Sequence, residues 1–274
     1  MTAPIVVATD LTASSDRPFD RAVMLAEQRG ARLVIVHAVE ERNGVDGRQR
    51  MQWARQALDR VVEDLTVPFE VVLEQGPAPQ MLATVVEDWQ AAFVVVGAAR
   101  YNHVSDFFLG TAVDYLVRRA TAPVLVVKER PRVPYDGIIV GTDFSERSAR
   151  ALGTAAVLFD GPITLVHAFS RPLSRRLEAD VSLELGEAWS REEMERFLAS
   201  PTVAPWRDRI TPHSVESDPA GAVEKFARQY RNPVAVVGSH GWGSMAHVLL
   251  GSRASDLLTA IAQDILIVRD GLTV

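Results

Sequence analysis

The chain has 274 residues, a length that fits either one large domain or two domains of ordinary size. Hydrophobic residues make up 47% of it and charged residues 23%, a composition typical of a folded globular protein rather than a disordered one. The 29 basic and 35 acidic side chains leave a net charge of -6. This surplus of acid argues against nucleic acid as a principal partner.

The absence of cysteine removes disulfides, thiolate nucleophiles and zinc–thiolate sites from consideration. The first apolar run, residues 5–9, is interrupted by Asp10 and has no basic leader, so it does not match the core of a signal peptide. No run approaches the roughly 18 apolar residues of a membrane span. The sequence therefore predicts a cytoplasmic protein with no membrane partner.

The sequence repeats itself. Residues 5–10 read Ile-Val-Val-Ala-Thr-Asp, and residues 138–143 read Ile-Ile-Val-Gly-Thr-Asp. Further matching segments follow in the same order: 36–38 with 166–168, 95–97 with 236–238, and 109–111 with 250–252. Such a repeat indicates two domains of similar fold. Because the segment between the copies is charged and carries two prolines, we expect a linker there, with domains at residues 1–131 and 132–274.

Within each copy, short apolar runs alternate with segments of helical period, which is typical of βα units in a parallel sheet covered by helices on both faces. In chain order, the runs predict strands at 5–9, 33–37, 69–73, 93–96 and 124–127, and then at 138–142, 163–167, 213–216, 234–237 and 265–268. Apolar residues recur at helical spacing from Met51 to Leu65, and Asp218 followed by Pro219 has the form of a helix start. The pattern predicts an α/β fold.

Glycines follow the fourth predicted strand of the second copy. Gly238 and Gly241 are three apart, and nine residues later come Gly251 and Ser252, just before a helical segment. Glycine lets the backbone approach a ligand closely, and a helix N-terminus offers unpaired N–H groups to phosphate. Residues 239–250 contain no acidic side chain that would repel a polyphosphate. The pattern therefore indicates a phosphate site, although simple turns would also explain the glycines.

Together with Asp143 at the end of the first strand, this motif resembles the ATP-binding universal stress proteins, and the resemblance covers both halves of the chain. It implies two tandem doubly wound domains, each a five-stranded parallel sheet in the order 3-2-1-4-5 with helices on both faces, binding an adenine nucleotide at the strand carboxyl ends. Carried over by position, the phosphates contact Gly238, Gly241, Gly251 and Ser252, and the adenosine lies near Asp143 and the backbone of Ala168.

The first half departs from this motif. Arg100 stands where the second glycine belongs, and Asp106 adds a negative charge to the loop. We therefore expect its site to be weakened or altered, and the second half to bind more tightly. The candidate contacts of the first half are Asp10, Ala38, Gly97, Gly110 and Thr111.

The resemblance implies a nucleotide-binding regulator or sensor of the stress response rather than an efficient enzyme. The ligand is then ATP, ADP or AMP, with Mg²⁺ possible beside the nucleotide, and the protein partner is unknown. The alternative is a slow ATP hydrolase or phosphotransferase that uses the same site. Residues 238–252 contain no carboxylate or lysine, and the chain has no Gly-Lys pair of a P-loop, which favours the regulator.

Other motifs carry less weight. The Gly-x-Gly-x-x-Ala pattern at 241–246 lacks the acidic residue that a dinucleotide site needs after the next strand. His37 and His167 recur at strand ends, where we expect a structural role. The fifth strands, 124–127 and 265–268, are continuously apolar, so we expect them to meet in an intramolecular pseudo-dimer, with a further homodimer possible.

Overall fold

The computed structural model describes residues 2–40, 47–100, 107–108, 111–169, 181–238 and 260–269. The chain divides into two compact units, Met1–Pro134 and Tyr135–Val274. The division falls slightly beyond the boundary that the linker composition predicts. Among the helices of the described ranges, none has the length and hydropathy needed to cross a bilayer.

The first unit alternates strands and helices in the predicted way. In chain order its elements are β1 (Ile5–Ala8), α1 (Asp16–Arg29), β2 (Leu33–Val39), α2 (Gly47–Val62), β3 (Phe69–Gln75), α3 (Ala78–Asp88), β4 (Phe93–Gly97), β5 (Ala99–Arg100), β6 (Phe107–Phe108), α4 (Thr111–Arg119) and β7 (Val124–Val127). Five strands pair in parallel in the order β3-β2-β1-β4-β7. The short β5 and β6 form a separate antiparallel pair.

The second unit repeats this plan. Its elements are β8 (Gly137–Gly141), α5 (Glu146–Leu158), β9 (Ile163–Phe169), α6 (Val181–Leu198), a 3-10 helix (Ala204–Arg209), β10 (Ile210–Glu216), α7 (Pro219–Ala227), β11 (Pro233–Gly238) and β12 (Asp264–Val268). The strands pair in parallel in the order β10-β9-β8-β11-β12. Each unit thus has the order 3-2-1-4-5, which confirms the fold expected from the sequence.

Helices cover both faces of the central strands, and this explains why those strands are continuously apolar. In the first unit Ile5, Val6, Val94 and Val95 are fully buried. In the second unit β8 and β11 are buried along their whole length. Neighbouring first and fourth strands send their crossovers to opposite sides, and the crevice outside their carboxyl ends is the usual ligand position in such sheets.

Two local predictions differ in outcome. The helix start at Asp218 is confirmed, because the Asp218 carboxylate accepts a 2.9 Å hydrogen bond from the Gly221 N–H and Pro219 is the first helical residue. The third strand of the second unit is longer than the predicted 213–216, since it begins at Ile210. Pro212 hid its beginning from the sequence pattern, and proline is tolerated there because β10 pairs only with β9 in its unit.

Arg209 closes the carboxyl end of α5. Its three guanidinium nitrogens donate to the backbone carbonyls of Ala156, Phe159 and Gly161 at distances of 2.8, 2.7 and 2.9 Å. A helix end leaves such carbonyls without partners and carries a partial negative charge, so a cation stabilises it on both counts. Arg209 thereby connects the start of β10 to the helix that follows β8.

We expect Arg209→Ala to lower the free energy of unfolding by about 2 kcal/mol, because charge-assisted hydrogen bonds are worth roughly 1.5–3 kcal/mol. Urea unfolding of the full chain measures this. Arg207→Ala is the matched control, since Arg207 is exposed and makes one long hydrogen bond of 3.4 Å to the Ile210 carbonyl. Equal losses in the two variants would contradict the role given to Arg209.

Candidate nucleotide-binding site

The loop after β1 is held by hydrogen bonds among its own residues. The hydroxyl groups of Thr9 and Ser15 lie 3.0 Å apart, and the Leu11 N–H donates to the Thr9 hydroxyl at 3.1 Å. The Thr12 N–H and hydroxyl both donate to Oδ1 of Asp10, at 2.9 and 2.8 Å. These bonds fix the Asp10 carboxylate at the carboxyl end of the first strand.

The loop after β8 has the same construction. The hydroxyls of Thr142 and Ser148 lie 2.9 Å apart, and the Phe144 N–H donates to the Thr142 hydroxyl at 2.9 Å. The Ser145 N–H and hydroxyl donate to Oδ1 of Asp143 at 3.1 and 2.6 Å. The repeated Thr-Asp motif therefore forms one loop twice.

The residue after each aspartate has a left-handed backbone conformation. The φ angle is 59° at Leu11 and 64° at Phe144. Residues other than glycine adopt this region at a cost, and they do so where surrounding contacts determine the backbone. Here the N–H of each residue is bound by the preceding threonine hydroxyl. No glycine marks this turn, so the sequence pattern did not reveal it.

The two repeated histidines connect the ends of neighbouring strands. His37 Nδ1 lies 2.8 Å from the Thr9 carbonyl, and His167 Nδ1 lies 3.0 Å from the Thr142 carbonyl. Because a carbonyl can only accept, Nδ1 is the protonated nitrogen in each ring. The contact has the structural role that the sequence suggested for both residues.

Asp10 is ionised at neutral pH. Burial by itself would raise its pKa, but hydrogen bonds from the Thr12 N–H and from the hydroxyls of Ser15 and Thr12 outweigh that effect, and the pKa lies below the ordinary 3.8. The loop thus presents a negative charge and an acceptor at the sheet edge.

A cavity of about 650 Å³ opens beside this loop in the first unit. Two of the predicted contacts, Asp10 and Ala38, line it together, and Trp53 of α2 forms another part of its wall. Its other lining residues are Thr9, Leu11, His37, Val39, Glu40, Arg50, Ala54, Ala57 and Ala78. The volume lies within the roughly 300–1,000 Å³ of small-molecule sites.

The remaining predicted contacts lie at the strand ends or outside the described residues. Gly97 is the last residue of β4, and a Cβ there would lie 3.3 Å from Cγ of Pro18. Gly238 is the last residue of β11, Ala168 lies in β9 and Thr111 begins α4. Gly110, Gly241, Gly251 and Ser252 fall outside the described residues.

Aromatic side chains surround the corresponding loop of the second unit. The Phe144 ring centroid lies 4.3 Å from that of His167 and 6.2 Å from that of Trp189. Phe197 adds a further contact with Phe144 at 6.0 Å. Sequence reasoning missed both tryptophans, although Trp53 and Trp189 each lie nine residues before the end of their helices and could have been recognised as a repeat.

A smaller cavity of about 320 Å³ lies elsewhere in the second unit, between α6 and β10. Arg191, Met194 and His213 are among its lining residues. Burial, with a smaller effect from the nearby Lys225 charge, lowers the pKa of His213. The predicted nucleotide contacts within the described residues do not line this cavity.

Comparison with known proteins agrees with the repeated loop and sheet order. The model of the universal stress protein family matches residues 1–128 and again 134–269. The chain belongs to the universal stress protein family. Its similarity to universal stress protein Rv2623 of Mycobacterium tuberculosis is 27% identity over 300 aligned residues, covering 98% of this chain and 97% of that protein.

Solved structures show the same fold over the whole chain. A universal stress protein from Archaeoglobus fulgidus DSM 4304 aligns with a TM-score of 0.65 and 17% identity, covering 98% of this chain and 97% of its own. Protein PA1789 from Pseudomonas aeruginosa PAO1, described as functionally unknown, aligns with a TM-score of 0.63 and 17% identity over 97% of this chain and 92% of its own.

Within the part of the chain that the structure describes, no three histidine, aspartate or glutamate side chains are grouped closely enough to hold a metal ion. A divalent cation at this site would need oxygen ligands from a bound phosphate as well as from the protein.

The lowered pKa of Asp10 predicts a pH-dependent contribution to stability. The ionised carboxylate stabilises the folded chain above the unfolded pKa, and this contribution disappears as the pH falls through the lower folded pKa. We therefore expect Asp10→Asn to cost stability at pH 7, and the cost to shrink below pH 3.8.

Urea unfolding of both proteins at a series of pH values measures this difference. Asp59→Asn, which changes an exposed carboxylate on α2, controls for the loss of charge. A difference between wild type and Asp10→Asn that grows on acidification would have the wrong sign for the hydrogen bonds described.

Proposed function

We propose that this chain binds an adenine nucleotide and acts as a stress-response regulator rather than as an efficient enzyme. The observation that carries the proposal is the cavity of the first unit, because Asp10 and Ala38, the two residues expected beside adenosine in that half, both line it. They come from two different strands, so their meeting depends on the fold and not on nearness in sequence.

The groups around the cavity suit a nucleoside. The ionised Asp10 accepts hydrogen bonds from hydroxyl or amino groups, and its Oδ2 receives a long 3.5 Å hydrogen bond from Ser14, which a ligand can replace. The backbone near Ala38, at the end of an inner strand, can meet the polar edge of a base. Apolar and aromatic side chains on α2 offer a surface for the flat face of the base.

The phosphates belong at the ends of the fourth strands. In the first unit the candidate contacts are Gly97, Gly110 and Thr111, of which Thr111 is the first residue of α4. In the second unit the resemblance to the family gives Gly238, Gly241, Gly251 and Ser252 as the phosphate candidates, and Asp143 and Ala168 as the adenosine candidates. A Cβ at Gly238 would meet the Arg147 carbonyl oxygen at an ordinary 3.6 Å, so packing alone does not require glycine there. A glycine at this position would leave space for a ligand.

The ligand that fits this arrangement is ATP, with ADP and AMP as shorter forms and Mg²⁺ accompanying the polyphosphate. The protein partner, the intramolecular pseudo-dimer and a further homodimer stay predictions. Hydrolysis or phosphate transfer would need a base or metal clamp near the phosphates. Residues 238–252 contain neither a carboxylate nor a lysine, and the corresponding residues 97–111 of the first unit contain one carboxylate, Asp106, and no lysine.

Adenine nucleotide should be found in the purified protein or bind to it on addition. Mass spectrometry of the supernatant after denaturation identifies a bound nucleotide, and calorimetry with ATP, ADP and AMP gives the affinities. We expect Asp10→Ala to weaken binding by about 1–3 kcal/mol through the lost charge-assisted hydrogen bond. Asp59→Ala, on the exposed side of α2, should leave binding unchanged. A chain that binds none of the three nucleotides at millimolar concentration would refute the proposed function.

Turnover should stay far below the roughly 1–1,000 per second of ordinary enzymes, because contacts without a positioned base bind ground state and transition state about equally. Phosphate release from ATP and Mg²⁺ measures it. A contaminating ATPase would act equally in preparations of wild type and Asp10→Ala, whereas activity of this chain would fall with the affinity. Rates of several per second that Asp10→Ala abolishes would establish the hydrolase instead.

A further inference from the structure

The two units place corresponding side chains around the same strand ends, but the contacts of these side chains differ. Leu11 and Phe144 follow the two aspartates, and Trp53 and Trp189 lie on the helices between second and third strands. In the first unit, Leu11, His37 and Trp53 line an open cavity. In the second unit the rings of Phe144, His167 and Trp189 contact one another.

The contacts in the second unit are close. Phe144 packs on His167 as a tilted pair, with centroids 4.3 Å apart and an angle of 31° between the rings. Trp189 directs its ring towards both, with centroid distances of 6.2 Å to Phe144 and 6.4 Å to His167. Offset and edge-to-face pairs at such distances are the favoured aromatic arrangements. A nucleotide base that entered this space in the second unit would have to displace these rings.

The first unit lacks this filling. Leu11 has no ring to stack on His37, and this is the difference between the units, because the two tryptophans are exposed alike, Trp53 to 56% and Trp189 to 54%. Small side chains at Ala54 and Ala57 leave room along the same helix. An exposed indole that lines a cavity offers a flat apolar face, and bases of nucleotides stack on such faces.

We infer that the nucleotide base binds in the first unit against the indole of Trp53, and that Phe144 occupies the corresponding space in the second unit and excludes a base from it. This inference rests on the proposed function and names the residues that decide where the base lies. It reverses the order of affinity expected from the glycine loops. The order of affinity expected from the glycine loops depends on phosphate contacts, whereas the aromatic side chains determine whether the base can enter the site.

The backbone conformation at Phe144 can accept a leucine in place of the phenylalanine. Leu11 adopts φ 59° with the same threonine hydrogen bond that Phe144 makes at φ 64°. Leucine is therefore already shown to fit this conformation, and Phe144→Leu should fold. The variant gives the second unit the residue of the first and removes one ring from its cluster.

The first experiment tests Trp53 in the full chain by calorimetry with ATP. We expect Trp53→Leu to lower the affinity about tenfold or more, and Trp53→Phe to keep much of it, because an aromatic face is retained. Trp89→Leu, which changes a tryptophan of the same unit that does not line the cavity, is the matched control and should leave the affinity unchanged. Binding should also quench indole fluorescence in wild type and Trp189→Phe, and the quench should be lost in Trp53→Phe.

The second experiment counts the sites. Wild type should bind one ATP per chain, and Phe144→Leu should bind two, with thermal unfolding used to check that the variant is folded. Two sites in wild type, or unchanged affinity in Trp53→Leu, would overturn the inference while leaving nucleotide binding intact. One site in folded Phe144→Leu would overturn the assignment of Phe144. A wild-type chain that binds no nucleotide would remove the proposed function and this inference with it.

Discussion

Each unit depends on one threonine hydroxyl at the end of its first strand. Thr9 and Thr142 accept from the N–H two residues later, and each binds a serine hydroxyl, that of Ser15 just before α1 or that of Ser148 in the first turn of α5. This short network turns the chain from strand to helix, directs an aspartate to the sheet edge and determines a left-handed residue. The paired histidine then binds the threonine carbonyl from the neighbouring strand. The ligand crevice would lose its shape without these bonds.

Most of the fold could be predicted from the sequence, because burial on both sheet faces leaves continuous apolar runs. The repeat fixed the number of units, and the strand order followed from the family resemblance. Among the strands of the two parallel sheets, β10 was poorly predicted, since a strand with Pro212 and exposed positions carries a weak apolar signal. The short β5–β6 pair was not predicted. The sequence could also identify the helix start at Asp218, where the capping side chain and proline act locally.

The candidate site was predictable in part. Asp10 and Ala38 stand at the ends of adjacent strands, and any parallel sheet of this order brings them near each other. The wall formed by α2 was not predictable, because the sequence does not tell which helix face turns towards the strand ends. Nor does it tell that Phe144 packs on His167, since that contact joins residues far apart in the chain. Comparing the two halves position by position would have shown Leu11 against Phe144, but only the structure gives the difference a meaning.

In the threonine loop, the groups that hold the backbone are separate from the side chain that follows the aspartate. Its backbone is held by hydroxyl and amide groups, none of which belongs to the residue after the aspartate except that residue's own N–H. The side chain at that position takes no part in these bonds, so it contributes little to shaping the turn, although Phe144 packs on His167 and Phe197. Leucine in one copy and phenylalanine in the other illustrate this freedom. A duplicated chain can thus present a different side chain beside the strand ends of each half while both halves keep the same turn.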